Sequence, residues 1–316
     1  MLYASGTLFV SLSTYYSNMS EPLNMIRKKT LKIQERLGMR VGIAYGISKT
    51  PIVKTAEEAE NALMELYKVG FKAFLLPKEL FSRIKDPQDI FKEHYSELLR
   101  IKTIAQKYNI ELALHHDELP EEPHKLDTVL KIFFNLAHIM DCRTFIIHPN
   151  FYKNVPQQQA LKILVHKINE TVNSMNLKIK IGIETTGRVN ELGSLEDVIE
   201  ITKRTTQTEP IINFANIHGR SAGFLRDESN FRFVFNKIKT DLGQQSLQNS
   251  YFLFSGVTYG PSGVIKYLPS TKSDLKLVHL IKSVMSFGAK GTLIFEDPQR
   301  EQSILDILKE FGDMVR

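Results

Sequence analysis

From Met39 onward the apolar residues fall into two alternating registers. Short runs read as strands: RVGIAYGI (40–47), FKAFLLP (71–77), IELALHH (110–116), TFIIHP (144–149), IKIGIET (179–185), PIINFAN (210–216), SYFLFSG (250–256) and GTLIFED (291–297). Between them the period lengthens to that of an amphipathic helix. In TAEEAENALMELYKVG (55–70), for example, Ala59, Leu63, Leu66 and Val69 share one face. The segments KLDTVLKIFFNLAHIM, SLEDVIEITKRT and SDLKLVHLIKSVMSFG read the same way, several stopping near a glycine. Strand then helix, eight times over, predicts an α/β fold of the (β/α)8 TIM-barrel kind across residues 40–316 as one domain. A doubly wound open sheet would more often carry a glycine-rich phosphate loop after its first strand. Here that strand runs into AYGISKTP, with neither GxGxxG nor GxxxxGK[ST].

Residues 1–38 stand apart. MLYASGTLFVSLSTYYSNMS carries too many hydroxyls to span a bilayer and has no basic residue before its apolar run, so neither a membrane span nor a signal peptide fits. Residues 21–38 read as a basic helix opened by Pro22. Two readings of 1–38 stay open: an accessory helix, or an extension upstream of a start at Met39.

Composition narrows the class. With 42% hydrophobic and 24% charged residues among 316, the chain is an ordinary globular sequence. A lone cysteine, Cys142, excludes an internal disulfide and a cysteine-rich zinc site, fits the cytoplasm, and leaves any metal to imidazoles and carboxylates. The formal charge of +6 is compatible with a polyanionic partner and equally with a solvated basic surface.

Barrel chemistry gathers at the C-terminal ends of the strands. There the third strand ends in His115-His116-Asp117, the fourth in His148, the fifth in Glu184 and the eighth in Glu296. Such ligands from separate strands suit zinc, manganese or iron. His94, His138, His166 and His279 fall within predicted helices and His124 in the EEPHK loop, where surface or packing roles are expected. Cys142 reads as a small buried apolar residue rather than a nucleophile.

The stretches FIIHPNFY, IGIETTGRVNELGSLEDV, PIINFANIHGR, FLFSGVTYGPSGVIKYLP and LIFEDPQREQSILDILKE follow one another in that order. Together they resemble the endonuclease IV family, abasic-site endonucleases of the xylose isomerase-like barrels, in its archaeal style. The family's motifs are HPGxY, ENTAG with GSLEE, DxxHxHAR, HFSGxEYxxKGExxHL and a final SExP. The resemblance runs from about residue 40 to the C-terminus and implies a metal-dependent phosphodiesterase acting on abasic or damaged DNA. It implies a first zinc held by His115 (or His116), His148 and Glu184. A second zinc would share Glu184 and take Glu296, but the family's Asp and His there are Asn213 and Leu253 here. The third zinc's histidines are Asn216 and Tyr267, and its acidic ligand is Ile265. Asn213 would be at best a weak carbonyl ligand, Leu253 and Ile265 cannot ligate, and a tyrosine phenol titrates near 10.

One divalent ion, zinc or else manganese, is therefore expected, with Glu184 and Glu296 as the catalytic carboxylates. Arg188, His218, Arg220 and Lys266 are the candidates to hold phosphate. The expected function is hydrolysis of abasic or damaged duplex DNA by a monomer with a reduced metal centre. A DNA-binding relative without activity is the alternative, and a metal-dependent sugar isomerase is disfavoured.

Overall fold

The computed structural model describes residues 22–120, 122–149, 155–302 and 304–305. The elements in chain order are α1 (Leu23–Leu37), β1 (Met39–Ala44), α2 (Ala56–Val69), β2 (Ala73–Leu76), α3 (Tyr95–Tyr108), β3 (Glu111–His116) and α4 (Pro123–Ile139). There follow β4 (Thr144–Ile147), α5 (Gln157–Met175), β5 (Lys180–Glu184), α6 (Leu195–Arg204), β6 (Thr208–Asn213), α7 (Phe214–Arg220) and α8 (Glu228–Leu242). The last are β7 (Ser250–Phe254), β8 (Gly256–Gly260), β9 (Gly263–Leu268), α9 (Leu277–Phe287) and β10 (Gly291–Phe295). Eight strands close into a parallel barrel in the order β1-β10-β7-β6-β5-β4-β3-β2, the (β/α)8 architecture expected. Local chemistry sets the helix ends: Thr55 and Glu58 form a capping box at the start of α2, and left-handed Gly70 ends it.

Side chains alternate across each strand, so parity decides what enters the barrel. Outward residues such as Val41, Ile43, Phe74, Leu112, Phe145, Ile181 and Phe252 join the shell beneath the helices. Inward residues stack in tiers. Ala44, Ala73, Leu75, Ala113, Ile146, Ile211, Leu253 and Ile294 form a separate apolar plug, with Tyr251 below them. Gly182 makes room there, since a methyl carbon at its Cα would come within 2.6 Å of Ile211. The floor is polar: Arg143 donates to Thr292 (3.0 Å) and to the Asn249 carbonyl (2.7 Å), and Thr292 donates to Glu111 (2.6 Å). Two residues above the plug, the same parity delivers His115, His148, Glu184, Asn213 and Glu296 to the opposite end.

Helix α1 lies against α2 and β1 and buries Ile26, Ile33 and Leu37. Gln34, also buried, accepts from the Val41 N–H (2.7 Å) and donates to the Gly70 carbonyl (2.8 Å). Three such side chains are worth about 6 kcal/mol at ~2 kcal/mol each. A chain begun at Met39 is therefore expected to melt about 10 °C below the full chain. Thermal unfolding of the two side by side checks this; equal midpoints would mean that α1 adds nothing to the fold. The hydroxyl-rich stretch before residue 21 lies outside the described residues, as does Asn150–Tyr152 of the HPNFY motif.

Two segments depart from the expected elements. The sixth strand stops at Asn213, whose side chain accepts from the Asn216 N–H and so starts α7; Phe214–Asn216 is helix, not strand. The seventh stops at Phe254, and Gly256 opens an antiparallel hairpin, β8–β9, that strand counting did not anticipate. His124 belongs to the first turn of α4 rather than to a loop. No helix among the described residues is long and apolar enough to cross a membrane.

Candidate metal centre

At the C-terminal mouth His115, His148 and Glu184 converge. The His115 Nε2 lies 2.9 Å from Glu184 Oε2 and the His148 Nε2 lies 3.3 Å from the same oxygen. One ligand atom from each residue falls within 4.8 Å of the others. A tetrahedral zinc with bonds of about 2.0–2.1 Å places neighbouring ligand atoms about 3.3 Å apart, so the spacing fits. The Nε2 of His148 is buried with no hydrogen-bond partner, and a cation held between these atoms would satisfy it. Glu184 is 1% exposed. Burial works against its charge, yet His148 and His115 hold its carboxyl below the ordinary range. Burial likewise opposes protonation of His115, and the Glu184 carboxylate outweighs it and raises the imidazole's pKa.

His116, the alternative ligand, is excluded by strand parity. It points away from the mouth, its ring edge-on to Phe133 with centroids 4.7 Å apart. Burial and Lys78 lower its pKa to about 4. An unfolded His116 binds its proton near pH 6.5 and the folded one does not until about 4, so the unfolded state holds more protons in that window and stability falls as pH drops through it. From pH 7 to pH 5 this one residue is expected to cost about 1–2 kcal/mol. Denaturant midpoints should fall less over that interval in His116→Asn than in the unsubstituted protein; equal falls would refute the assignment.

Glu296 sits across the mouth, and burial together with the charge of Glu184 pushes its carboxyl up. Between the two carboxylates stands Asn213. Its Nδ2 donates to Glu184 Oε1 (2.9 Å) and to Glu296 Oε2 (2.7 Å), while its Oδ1 caps α7. The amide thus offers the mouth its nitrogen rather than its carbonyl, which corrects the expectation of a weak oxygen ligand. Asn216 donates to Glu184 Oε1 (3.3 Å) and to the Thr185 carbonyl (2.9 Å), and accepts from the Tyr267 hydroxyl (2.7 Å). Burial, then Glu296 and Glu184, keep the Tyr267 phenol well above its ordinary range, so it stays a protonated donor. Leu253 is sealed in the apolar plug, and Ile265 is 72% exposed on the hairpin.

The basic residues divide. Arg188 and Lys266 are exposed, on the loop after β5 and on β9, Arg188 leaning on Glu191 (3.2 Å). His218 and Arg220, expected at phosphate, are instead spent inside the fold. His218 accepts from the Leu225 N–H (3.1 Å), so its Nε2 carries the proton given to Asp274 (3.1 Å). Tyr259 donates to the other oxygen of Asp274 (2.7 Å). Arg220 donates to the carbonyls of Arg188, Val189 and Glu191, stitching α7 to the loop after β5. The hairpin closes on the same loop: Val264 donates to the Gly187 carbonyl (2.9 Å), and its side chain seats against Gly187 and Gly219. A methyl carbon added at those glycines would come within 2.5 and 2.3 Å of Val264 Cγ2.

Sequence reasoning missed Tyr45, one residue past β1. Its hydroxyl lies 2.5 Å from Glu296 Oε1, to which it donates, and 3.2 Å from His115 Nδ1. By strand parity it would face outward. A left-handed backbone, φ +70°, turns it back to the mouth, and no sequence signal announces that. Cys142 is buried and free, and burial pushes its thiol up, as an inert core residue requires.

No family model matches the chain. An uncharacterized protein of Methanocaldococcus jannaschii is 23% identical over 284 residues, spanning 88% of this chain and all 100% of the relative. Among solved structures, endonuclease IV from Thermus thermophilus superposes with a TM-score of 0.60 at 12% identity, over 87% of this chain and 99% of its own. D-psicose 3-epimerase from Clostridium cellulolyticum superposes with a TM-score of 0.60 at 10% identity, over 88% and 98%. The IOLI protein with a bound zinc atom gives 0.57 at 11%, over 88% and 96%. These likenesses establish the (β/α)8 barrel fold and no particular reaction.

Proposed function

We propose that this chain is an endonuclease IV-like protein that engages DNA at the barrel mouth and hydrolyses a phosphodiester slowly, with one divalent ion. The observation that carries the reading is the convergence of His115, His148 and Glu184, two imidazoles and a carboxylate with an orphaned buried nitrogen among them. These three residues would hold zinc or manganese. A bound ion of this kind lowers the pKa of water and neutralises phosphate charge.

The chain's own residues do the rest. Glu184 is kept ionised by the two histidines. Glu296, pushed toward its protonated form, is the group suited to give or take a proton beside it. Asn213 holds the two carboxylates a fixed distance apart. Arg188 and Lys266, exposed cations on the segments that follow β5 and β7, are assigned to phosphate. Multi-metal clamping of the leaving oxygen keeps only Glu184 and Glu296 of its ligands, because Asn213, Asn216, Leu253 and Tyr267 supply none, and that is the reason for the slow rate proposed.

A second reading, a DNA-binding protein without hydrolysis, is favoured by one observation: the Asn213 amide already satisfies the oxygens of Glu184 and Glu296 that face each other. Metal analysis and cleavage of an abasic duplex separate the two. The proposed enzyme yields about one zinc per chain, and chelator stops its slow cleavage. Duplex binding that weakens steeply with salt but never cleaves would support the second reading, and a flat salt response would remove DNA from both.

A further inference from the structure

The Tyr45 hydroxyl lies between Glu296 Oε1 (2.5 Å) and His115 Nδ1 (3.2 Å), and a phenol has one proton to give. Donating it to the carboxylate leaves only the phenolic oxygen for His115, so the imidazole must donate from Nδ1. Without a metal the Nε2, 2.9 Å from the ionised Glu184 Oε2, donates to it; a metal ion would take the place of that proton and leave the Nδ1–H on Tyr45, which is the tautomer that a metal ligand requires. From these contacts we infer that Tyr45 is a positioning residue for the ion: it fixes the tautomer and ring angle of His115 and ties them to Glu296. The inference rests on the proposed metal site and extends it by one shell of residues.

Two further features support it. Tyr45 adopts φ +70°, a conformation that a bulky residue rarely takes without something to hold it. Here its N–H donates to the Leu75 carbonyl (2.7 Å) and its carbonyl accepts from Val53 (2.9 Å), so the turn is fixed from both sides. The ring also leans on His115, centroids 5.4 Å apart, and packs on the apolar plug. The hydroxyl can therefore be deleted without disturbing the ring's seat.

The test is Tyr45→Phe, with two readouts. Zinc affinity, measured by competition with a chromophoric chelator, is expected to fall about tenfold or more, with a melting temperature close to that of the unsubstituted protein. In the metal-free protein, nitrogen-edited NMR should show a slowly exchanging Nδ1 proton on His115 that becomes fast-exchanging in the variant. Zinc affinity within twofold of the unsubstituted protein, or an unchanged Nδ1 exchange rate, would overturn the assignment. An unsubstituted protein that binds no zinc would sink the metal reading instead, and the metal-free spectra would still decide whether Tyr45 holds His115.

Discussion

Zinc titration of Asn213→Asp is expected to reach two ions per chain, the second weaker, where the unsubstituted protein stops at one. The amide nitrogen of Asn213 links Glu184 and Glu296 at 2.9 and 2.7 Å, a neutral bridge in the place where two acids would otherwise share a cation. Aspartate keeps the oxygen that caps α7, removes the donor, and adds a third acid to a buried cluster. Leaving buried charges unpaired costs about 3–5 kcal/mol. The metal-free variant should therefore melt several degrees lower, and zinc should restore it by binding the folded state alone. One ion per chain, with no zinc-dependent rise in melting temperature, would show that the amide is not what limits the site.

Glu184→Gln should have the larger effect on chemistry. This carboxylate is the meeting point of both imidazoles, and its pKa lies below the ordinary range because they hold it ionised. The amide has nearly the same shape but no charge. Zinc affinity is expected to fall at least about a thousandfold, roughly 4 kcal/mol, and phosphodiester cleavage with it. Retention of one zinc at unchanged affinity would remove Glu184 from the ligand set. Cleavage that survives without zinc would move the chemistry away from these residues.

The barrel was legible because its signal is repeated: eight apolar runs, each followed by helical spacing, leave few other ways to bury both faces of the strands. The places of His115, His148, Glu184 and Glu296 at the barrel mouth were legible for the same reason, since each stands at a strand end. The choice between His115 and His116 was not, because it depends on which parity faces inward. Asn213 was located but misjudged. Sequence gives an amide two faces, and only the start of α7 decides that the oxygen turns away. Tyr45 was invisible, since nothing in AYGISKTP reveals a left-handed residue. His218 and Arg220 sit in a motif associated with function, and their donors serve the loops that frame the mouth.

The seam beneath the hairpin has a bearing on how variation in this chain should be read. Val264 rests on the bare backbone of Gly187 and Gly219, with no room for another carbon at either. One methyl group there would lift β9, and with it the Tyr267 hydroxyl that steadies Asn216. Neither glycine has any chemistry to contribute, yet both should be as intolerant of replacement as the proposed ligands themselves. A screen that scores only loss of activity would record them as part of the centre; one that also scored folding and metal content would place them correctly, in the frame that holds it.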